Sequence, residues 1–449
     1  MTSTPETSAE SLAGFEAGAT RVRFGVLAFL SSLAFVLYLD RVCIGQALPM
    51  IQADLGLTKG QTGYALGAFL IAYGLFEVPT GRWGDRFGSR GVLVRIVVWW
   101  SLFTALTGAV NGLLMLVAVR FLFGAGEAGA YPNVARIIAR WFPLGERGAA
   151  QGCVITSAQL GAAIAPMMAA YTIESIGWRW TFFVFSLFGL VWAAAFYFWF
   201  RDDPDEHAGT NAAERALIAA TNSGPPGGDV HPPIPWKTIL SNSNIWFLGL
   251  LQSCSSFVSY MYMGWYPTYL EAGRNVGPIE RGWMTSLVLA GAAIGCLGSG
   301  FVNDWLARVT NHSPARFRVY GFSGTAIAAL ALFASVQCES PWATSAWAAV
   351  ACMATLSQQA TFWAVTTEIS GPHLGVVFGL INSMGVPGGY MSSKFFGQFA
   401  EWMESFGYEG RAQWDPAFSL SAVLLLVGAC CWLFVDASKK IPDSEPSAG

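Results

Sequence analysis

Long apolar blocks recur along nearly the whole chain, separated by short polar stretches. Most hold the roughly 20 residues that a helix needs to cross a hydrocarbon core about 30 Å thick. Twelve spans are expected, at approximately 24–48, 61–83, 91–110, 112–136, 149–173, 178–200, 245–270, 281–303, 318–338, 342–368, 373–400 and 414–436. The expected fold class is an all-α polytopic membrane protein. Blocks this long leave no room for a soluble core of ordinary composition.

Composition agrees, since 54% of the 449 residues are hydrophobic and only 12% charged, about half the usual charged share. The arrangement of charge says more than the net −3. With the N-terminus inside, Arg21, Arg23, Arg82, Arg86, Arg90, Arg136, Arg140 and Arg147 fall on the cytoplasmic side with Lys439 and Lys440. The opposite side keeps Lys59, Arg179, Arg274, Arg281 and Arg411. By this bias both termini are expected to be cytoplasmic. Residues 1–20, rich in Ser, Thr, Ala and Glu without an apolar core, read as a disordered cytoplasmic tail, and 438–449 as a second tail. The eight cysteines lack the paired spacing of a zinc site or a disulfide framework and read as buried thiols. No metal, cofactor or nucleic-acid partner is expected.

One long polar stretch, 201–244, carries Asp202, Asp203, Asp205 and Glu206 and then Gly224-Pro225-Pro226-Gly227-Gly228. It reads as a cytoplasmic linker between two six-helix halves, 21–200 and 245–437. The halves echo each other. The loop after span two, Gly81-Arg82-Trp83-Gly84-Asp85-Arg86-Phe87-Gly88-Ser89-Arg90, shares its spacing from Gly to Asp, with a basic residue further on, with Gly300 to Arg308 after span eight. Gly at a helix end allows close approach, and Asp and Arg at the boundary can pair with each other or with helix ends. Gly81, Asp85, Arg86, Gly88, Arg90, Asp304 and Arg308 are therefore the expected conformational latch.

Residues 81–90 resemble the signature loop of the major facilitator superfamily, and Arg120-Phe-Leu-Phe-Gly124-Ala-Gly126-Glu127 resembles its span-four signature. More narrowly, the chain resembles the anion:cation symporter family of bacterial proton-coupled sugar-acid carriers, sialin and the vesicular glutamate transporters. That likeness rests on Tyr38-Leu39-Asp40-Arg41, Glu127 after Arg120, Trp141-Phe142-Pro143 with Glu146-Arg147, Gly177-Trp178-Arg179, Trp265 to Leu270, and Asn382. The resemblance implies twelve helices in two pseudo-symmetric halves, transport by alternating access, and a proton-coupling role for Glu127.

Asp40, Arg41, Arg120 and Glu127 lie inside spans, where an unpaired charge costs several kcal/mol or more. At about 1.5 Å per residue, Asp40 and Arg41 fall roughly 10 Å below the outer end of span one, and Arg120 about 12 Å below that of span four. Asp40 is therefore expected to pair with Arg120, leaving Arg41 to clamp a substrate carboxylate. Glu127, two turns beyond Arg120 among small residues, has no partner of its own. Desolvation disfavours its charged form, so Glu127 and Asp40 are the expected proton-coupling groups. A static network fixing helix register is the alternative for all four.

Further substrate-binding candidates are Tyr38 and Tyr73, the amides Gln159 and Asn382, and Thr361 and Trp363 in span ten; Tyr262 and Trp265 are possible wall residues. Each can equally be interhelical packing. Glu77 stands where relatives of this family commonly carry Gln; a pair with Arg95 near the inner end of span three is expected, with a second proton site as the alternative. Lys394 either snorkels to the outer face or adds a cation for a second substrate carboxylate.

The expected function is proton-coupled symport of an organic anion, a sugar acid such as a hexuronate, aldonate or aldarate. The expected partners are that small carboxylate, a proton as coupling ion and the bilayer, with a monomer sufficient. Anion exchange or export without net proton coupling stays open, and a polytopic enzyme or receptor more remotely. Against an enzyme stands the lack of a His cluster, metal-ligand spacing, Gly-x-Ser-x-Gly elbow or phosphate-cradling loop.

Overall fold

A computed structural model describes residues 18–222, 236–311, 313 and 315–441. Among them there is no strand. Span one is the helix Val22–Leu55, span two Lys59–Phe87 and span three Ser89–Thr107. Span four is Leu113–Glu127 followed, after a break, by Ala130–Trp141, and spans five and six share Arg147–Trp199. Span seven begins as Ser243–Tyr260 and continues to Gly273 through two π turns. Span eight is Pro278–Val309, nine Ala315–Gln337, ten Pro341–Ser357 with Gln359–Ser370, eleven Leu374–Ser383 with Gly385–Ser405, and twelve Arg411–Phe434.

Eight helical runs among the described residues are both long and apolar enough to cross a membrane. One of them, Arg147–Trp199, crosses twice because Gly177 turns it at φ 80° and ψ 159°. Spans two, seven and ten complete the twelve; seven is interrupted by its π turns and ten at Gln358. The protein is thus an integral membrane protein of twelve helices.

Span one extends seven residues past its expected end at 48, through Gln52 and Asp54, and stops at the left-handed Gly56. Thr58 then opens span two: its hydroxyl accepts from Gln61 N, and Gln61 returns an acceptor to Thr58 N. Close helix crossings use glycine. Gly124 lies on the backbone of Phe69 in span two, and Gly161 on that of Phe35 in span one. An alanine at either would push two helices apart.

Spans one to six pack among themselves, as do seven to twelve, and the two sets meet along spans two and eleven, five and eight, and one and seven. We call the end where span one begins the basic end, and the other the far end. Ties between the sets cluster toward the far end. Lys59 Nζ lies 2.6 Å from Glu404, Gly60 N–H donates to Glu401 at 2.7 Å, and Met167 N–H donates to Ser286 Oγ at 3.1 Å. Arg281, only 1% exposed, donates to both the side chain and the carbonyl of Gln46 at 3.2 Å and also pairs with Glu271.

The stretch expected to be a loose linker is structured over its first part. Ala212–Asn222 is a helix whose Glu214, 0% exposed, accepts from Thr20 Oγ1 at 2.6 Å and from the backbone N–H of Arg23 at 3.1 Å. Arg23 bridges Glu214 at 3.3 Å and Glu146 at 2.9 Å. A buried carboxylate with this many donors holds its helix in place, and 201–222 therefore docks on the first set. The Gly- and Pro-rich remainder of the linker, 223–235, lies outside the described residues, as do 1–17 and 442–449.

Candidate functional site

Arg41 sits in span one with 10% of its side chain exposed, and its guanidinium pairs with Glu127 of span four, which is 1% exposed. The partner expected for Asp40 is therefore not the pair that forms. Asp40, 2% exposed, has both carboxylate oxygens without a hydrogen-bond partner. Arg120 lies instead over the rings of Phe69 and Phe123, 5.3 and 4.6 Å from their centroids. The indole of Trp100 lies near Asp40 without meeting hydrogen-bond geometry.

Helix length explains the change of partner. Arg41 is 14 residues from Leu55, the true end of span one, and Glu127 is 14 residues from Leu113, the start of span four. Both are therefore about 21 Å below the far end. Ending span one at 48 moves Arg41 up by two turns, which is the separation of Arg120 from Glu127. Glu127 also closes its helix, because Ala128 is extended and Gly129 has φ 86°. Only a residue without Cβ takes that conformation at little cost, and here a Cβ would also strike Thr80 of span two.

An aromatic cage surrounds the guanidinium. Its carbon lies 5.2 Å from the centroid of Tyr38, 5.1 Å from Phe69 and 5.0 Å from Tyr73. Tyr131 and Tyr260 are close enough to feel the same charges. Tyr260 comes from span seven, directly before the first π turn, so the second set contributes to the cage. The pair keeps spare capacity: Arg41 Nε and Glu127 Oε2 are buried without partners. A cation held this way is ready for a further acceptor, and a planar carboxylate matches its fork.

Tyr38 and Tyr73 thus both lie against the Arg41 guanidinium. Gln159 and Asn382 are half-buried, the latter just before the bend at Met384 in span eleven. Thr361 spends its hydroxyl on Asn303 at 3.2 Å, and Trp363 stacks on Phe378 at 3.8 Å between centroids. Trp265 donates to the Ser393 carbonyl at 3.0 Å, while the Tyr262 hydroxyl is buried without a partner. Lys394 does not join the Arg41 site. Its ammonium lies 4.6 Å from the ring of Tyr64, which is nine residues before Tyr73 and so about 14 Å further toward the far end.

Glu77 does not pair with Arg95, which faces outward; it lies beside Tyr73 and in the field of Arg41. Gly81 and the side chains of Asp85 and Arg86 have no described surroundings. The described latch residues bond within their own sets. Arg90 N–H donates to Asp202 at 2.9 Å, next to Gly88, and its guanidinium donates to the Tyr197 carbonyl. Asp304 and Arg308 are exposed, and Arg308 Nε donates to the Asp304 carbonyl of its own helix at 3.4 Å. Tyr131, Tyr260, Gln46 and Arg281 escaped the sequence reading. Only Tyr131 carried a signal, as a phenol four residues beyond Glu127.

The family model described as Major Facilitator Superfamily matches residues 30–393. The chain is 29% identical to the probable sulfoacetate transporter SauU of Cupriavidus necator over 436 residues, covering 96% of this chain and 97% of the relative. It is also 29% identical to the probable galactarate/D-glucarate transporter GudP of Bacillus subtilis, covering 95% and 96%. Among solved structures, a bacterial homologue of the human lysosomal transporter Spinster superposes with a TM-score of 0.76 at 19% identity, covering 94% of this chain and 98% of that one. The D-xylose–proton symporter superposes at 0.71 with 14% identity, covering 93% and 98%. These last two likenesses bear on the fold alone. A twelve-helix chain matched over most of its length by that family model belongs to the Major Facilitator Superfamily and is a membrane transporter, not an enzyme.

Proposed function

We propose that this protein imports a small organic anion together with protons, the anion being a sugar acid such as a hexuronate, aldonate or aldarate. The observation that carries the reading is the buried pair of Arg41 and Glu127 inside its ring of tyrosines. A substrate carboxylate and the Glu127 carboxylate are the same kind of acceptor competing for one guanidinium. Protonating Glu127 frees Arg41 for the anion, and a bound anion in turn favours the protonated glutamate. The phenols around the pair suit the hydroxyls of a polyol acid.

The relatives' names support the substrate class: sulfoacetate, galactarate or D-glucarate, and, in the probable L-galactonate transporter of Escherichia coli, an aldonate. The basic end faces the cytoplasm of a bacterial inner membrane in this reading, and one chain suffices. No cofactor is needed beyond the proton. Ties clustered at the far end leave the site to open toward the basic end. Import then needs those ties to break while the basic end closes.

Uptake by proteoliposomes of D-galactonate, galactarate, D-glucarate, a hexuronate and sulfoacetate, with and without an inward proton gradient, tests the reading. Accumulation of at least one against its own gradient, only when protons flow inward, is the expected result. Uptake indifferent to the proton gradient but dependent on internal anion would identify an exchanger instead.

A further inference from the structure

The guanidinium of Arg281, in span eight, meets span one of the other set. Its Nε donates to Gln46 Oε1 and its Nη2 to the Gln46 carbonyl, both at 3.2 Å, while Nη1 pairs with Glu271. The Nε and Nη2 hydrogens point the same way and form the side of the fork that takes both oxygens of a carboxylate. Gln46 thus sets one side-chain and one main-chain oxygen where a carboxylate would set its pair. Both are neutral acceptors, and 3.2 Å is long beside the roughly 2.7–2.9 Å of an ionised pair. The other end of the same amide, Nε2, is a donor buried without a partner, on a residue 1% exposed.

We propose that Arg281 is an outer receptor for the transported anion: when the far end opens, its Nε and Nη2 take the carboxylate, and Gln46 displaces the anion as the far end closes. The inference rests on the import reading above. Arg281 and Gln46 belong to different sets, so opening the far end parts them and makes their faces walls of the entrance. The guanidinium then keeps Glu271 but has two donors bare. Glu271 is 43% exposed, so water screens its charge and a second carboxylate is not shut out. The Gln46 amide donor that lacks a partner in the closed form can serve the same anion. Other cations at this end are less suited. Arg179, Arg274 and Arg411 keep their oxygens within their own sets however the far end moves, and Lys59, which does lose Glu404, has no planar fork. Gln46 stands five residues beyond Arg41 on span one, about 7.5 Å nearer the far end. An anion displaced from Arg281 has roughly that depth to travel to Arg41.

The test is initial-rate uptake of D-galactonate and of galactarate by right-side-out membrane vesicles at a fixed inward proton gradient. It compares wild type, Arg281→Gln, Arg281→Lys and the double variant Glu401→Gln/Glu404→Gln. The double variant weakens two other far-end ties and leaves Arg281 intact. With more of the protein open outward, its external half-saturation concentration should fall or hold. If Arg281 were a tie and nothing more, Arg281→Gln would behave the same way. A receptor predicts the opposite sign, a rise of at least about tenfold, because two charged hydrogen bonds to the anion are lost. Arg281→Lys keeps a cation beside Glu271 without the fork and should lie between Arg281→Gln and wild type. A half-saturation concentration in Arg281→Gln at or below that of wild type overturns the receptor and leaves anion transport standing. Wild-type vesicles that show saturable uptake of neither anion overturn the sugar-acid reading as well.

Discussion

Replacing Glu127 by Gln should tighten anion binding and remove most of its pH dependence. In the wild type an arriving carboxylate competes with a carboxylate that is 1% exposed and already paired to Arg41. A hydrogen bond to a charged group is worth roughly 1.5–3 kcal/mol net, a neutral one about 1 kcal/mol. The Gln amide oxygen still accepts from Arg41 and fills the same volume, but it holds the cation by about 0.5–2 kcal/mol less. Binding at alkaline pH should therefore strengthen about 2- to 30-fold. On acidification the wild type should approach the variant, because protonating Glu127 has the same effect as the substitution. The three rings about 5 Å from the guanidinium keep Arg41 in place when its partner is weakened. Isothermal titration of the purified protein with a transported anion, at acid and alkaline pH, measures both effects. Weaker binding in Glu127→Gln, or an unchanged pH dependence, would refute the competition.

Three other outcomes follow from the contacts. Arg281→Gln should loosen the far end by the roughly 1.5–3 kcal/mol of a charged hydrogen bond, raising thiol labelling of a cysteine placed at Met50 at least about tenfold once exposed Cys153 and Cys430 are replaced by Ser; unchanged labelling would reject the tie. Glu214→Ala leaves Arg23 and the first turn of span one without a buried acceptor, and thermal unfolding in detergent should show a loss of roughly 3–5 kcal/mol, whereas a loss below about 1 kcal/mol would mean that the helix is not held by Glu214. Lys394→Ala should leave the relative transport of mono- and dianions unchanged, since its ammonium lies over Tyr64; loss of a dianion preference would place Lys394 in the site.

Twelve apolar blocks were enough to read the fold, because lipid leaves a backbone few ways to satisfy its own hydrogen bonds. The partner of Arg41 was not legible. Hydropathy ends span one where Pro49 and Gln52 begin, yet the helix continues to Leu55 through polar residues at the membrane boundary. That seven-residue error set Asp40 and Arg41 level with Arg120 and two turns away from Glu127, so Glu127 was read as having no partner. The break after Glu127 was equally hidden, since Gly129 is one of 50 glycines and nothing in its neighbours marks it as left-handed. Glu77 was expected to pair with Arg95 on depth alone, and the two side chains leave their helices in different directions. The cross-set contacts of Arg281 with Gln46 depend on how two six-helix units lean together, which no local pattern encodes.

Coupling through Arg41 and Glu127 is tested most directly by measuring two activities in the same Glu127→Gln proteoliposomes: accumulation driven by a proton gradient, and exchange of internal for external anion. Accumulation should vanish while exchange persists, because Arg41 still binds the anion and only the proton has lost its carrier. Accumulation that survives, or exchange that disappears with it, would contradict the account.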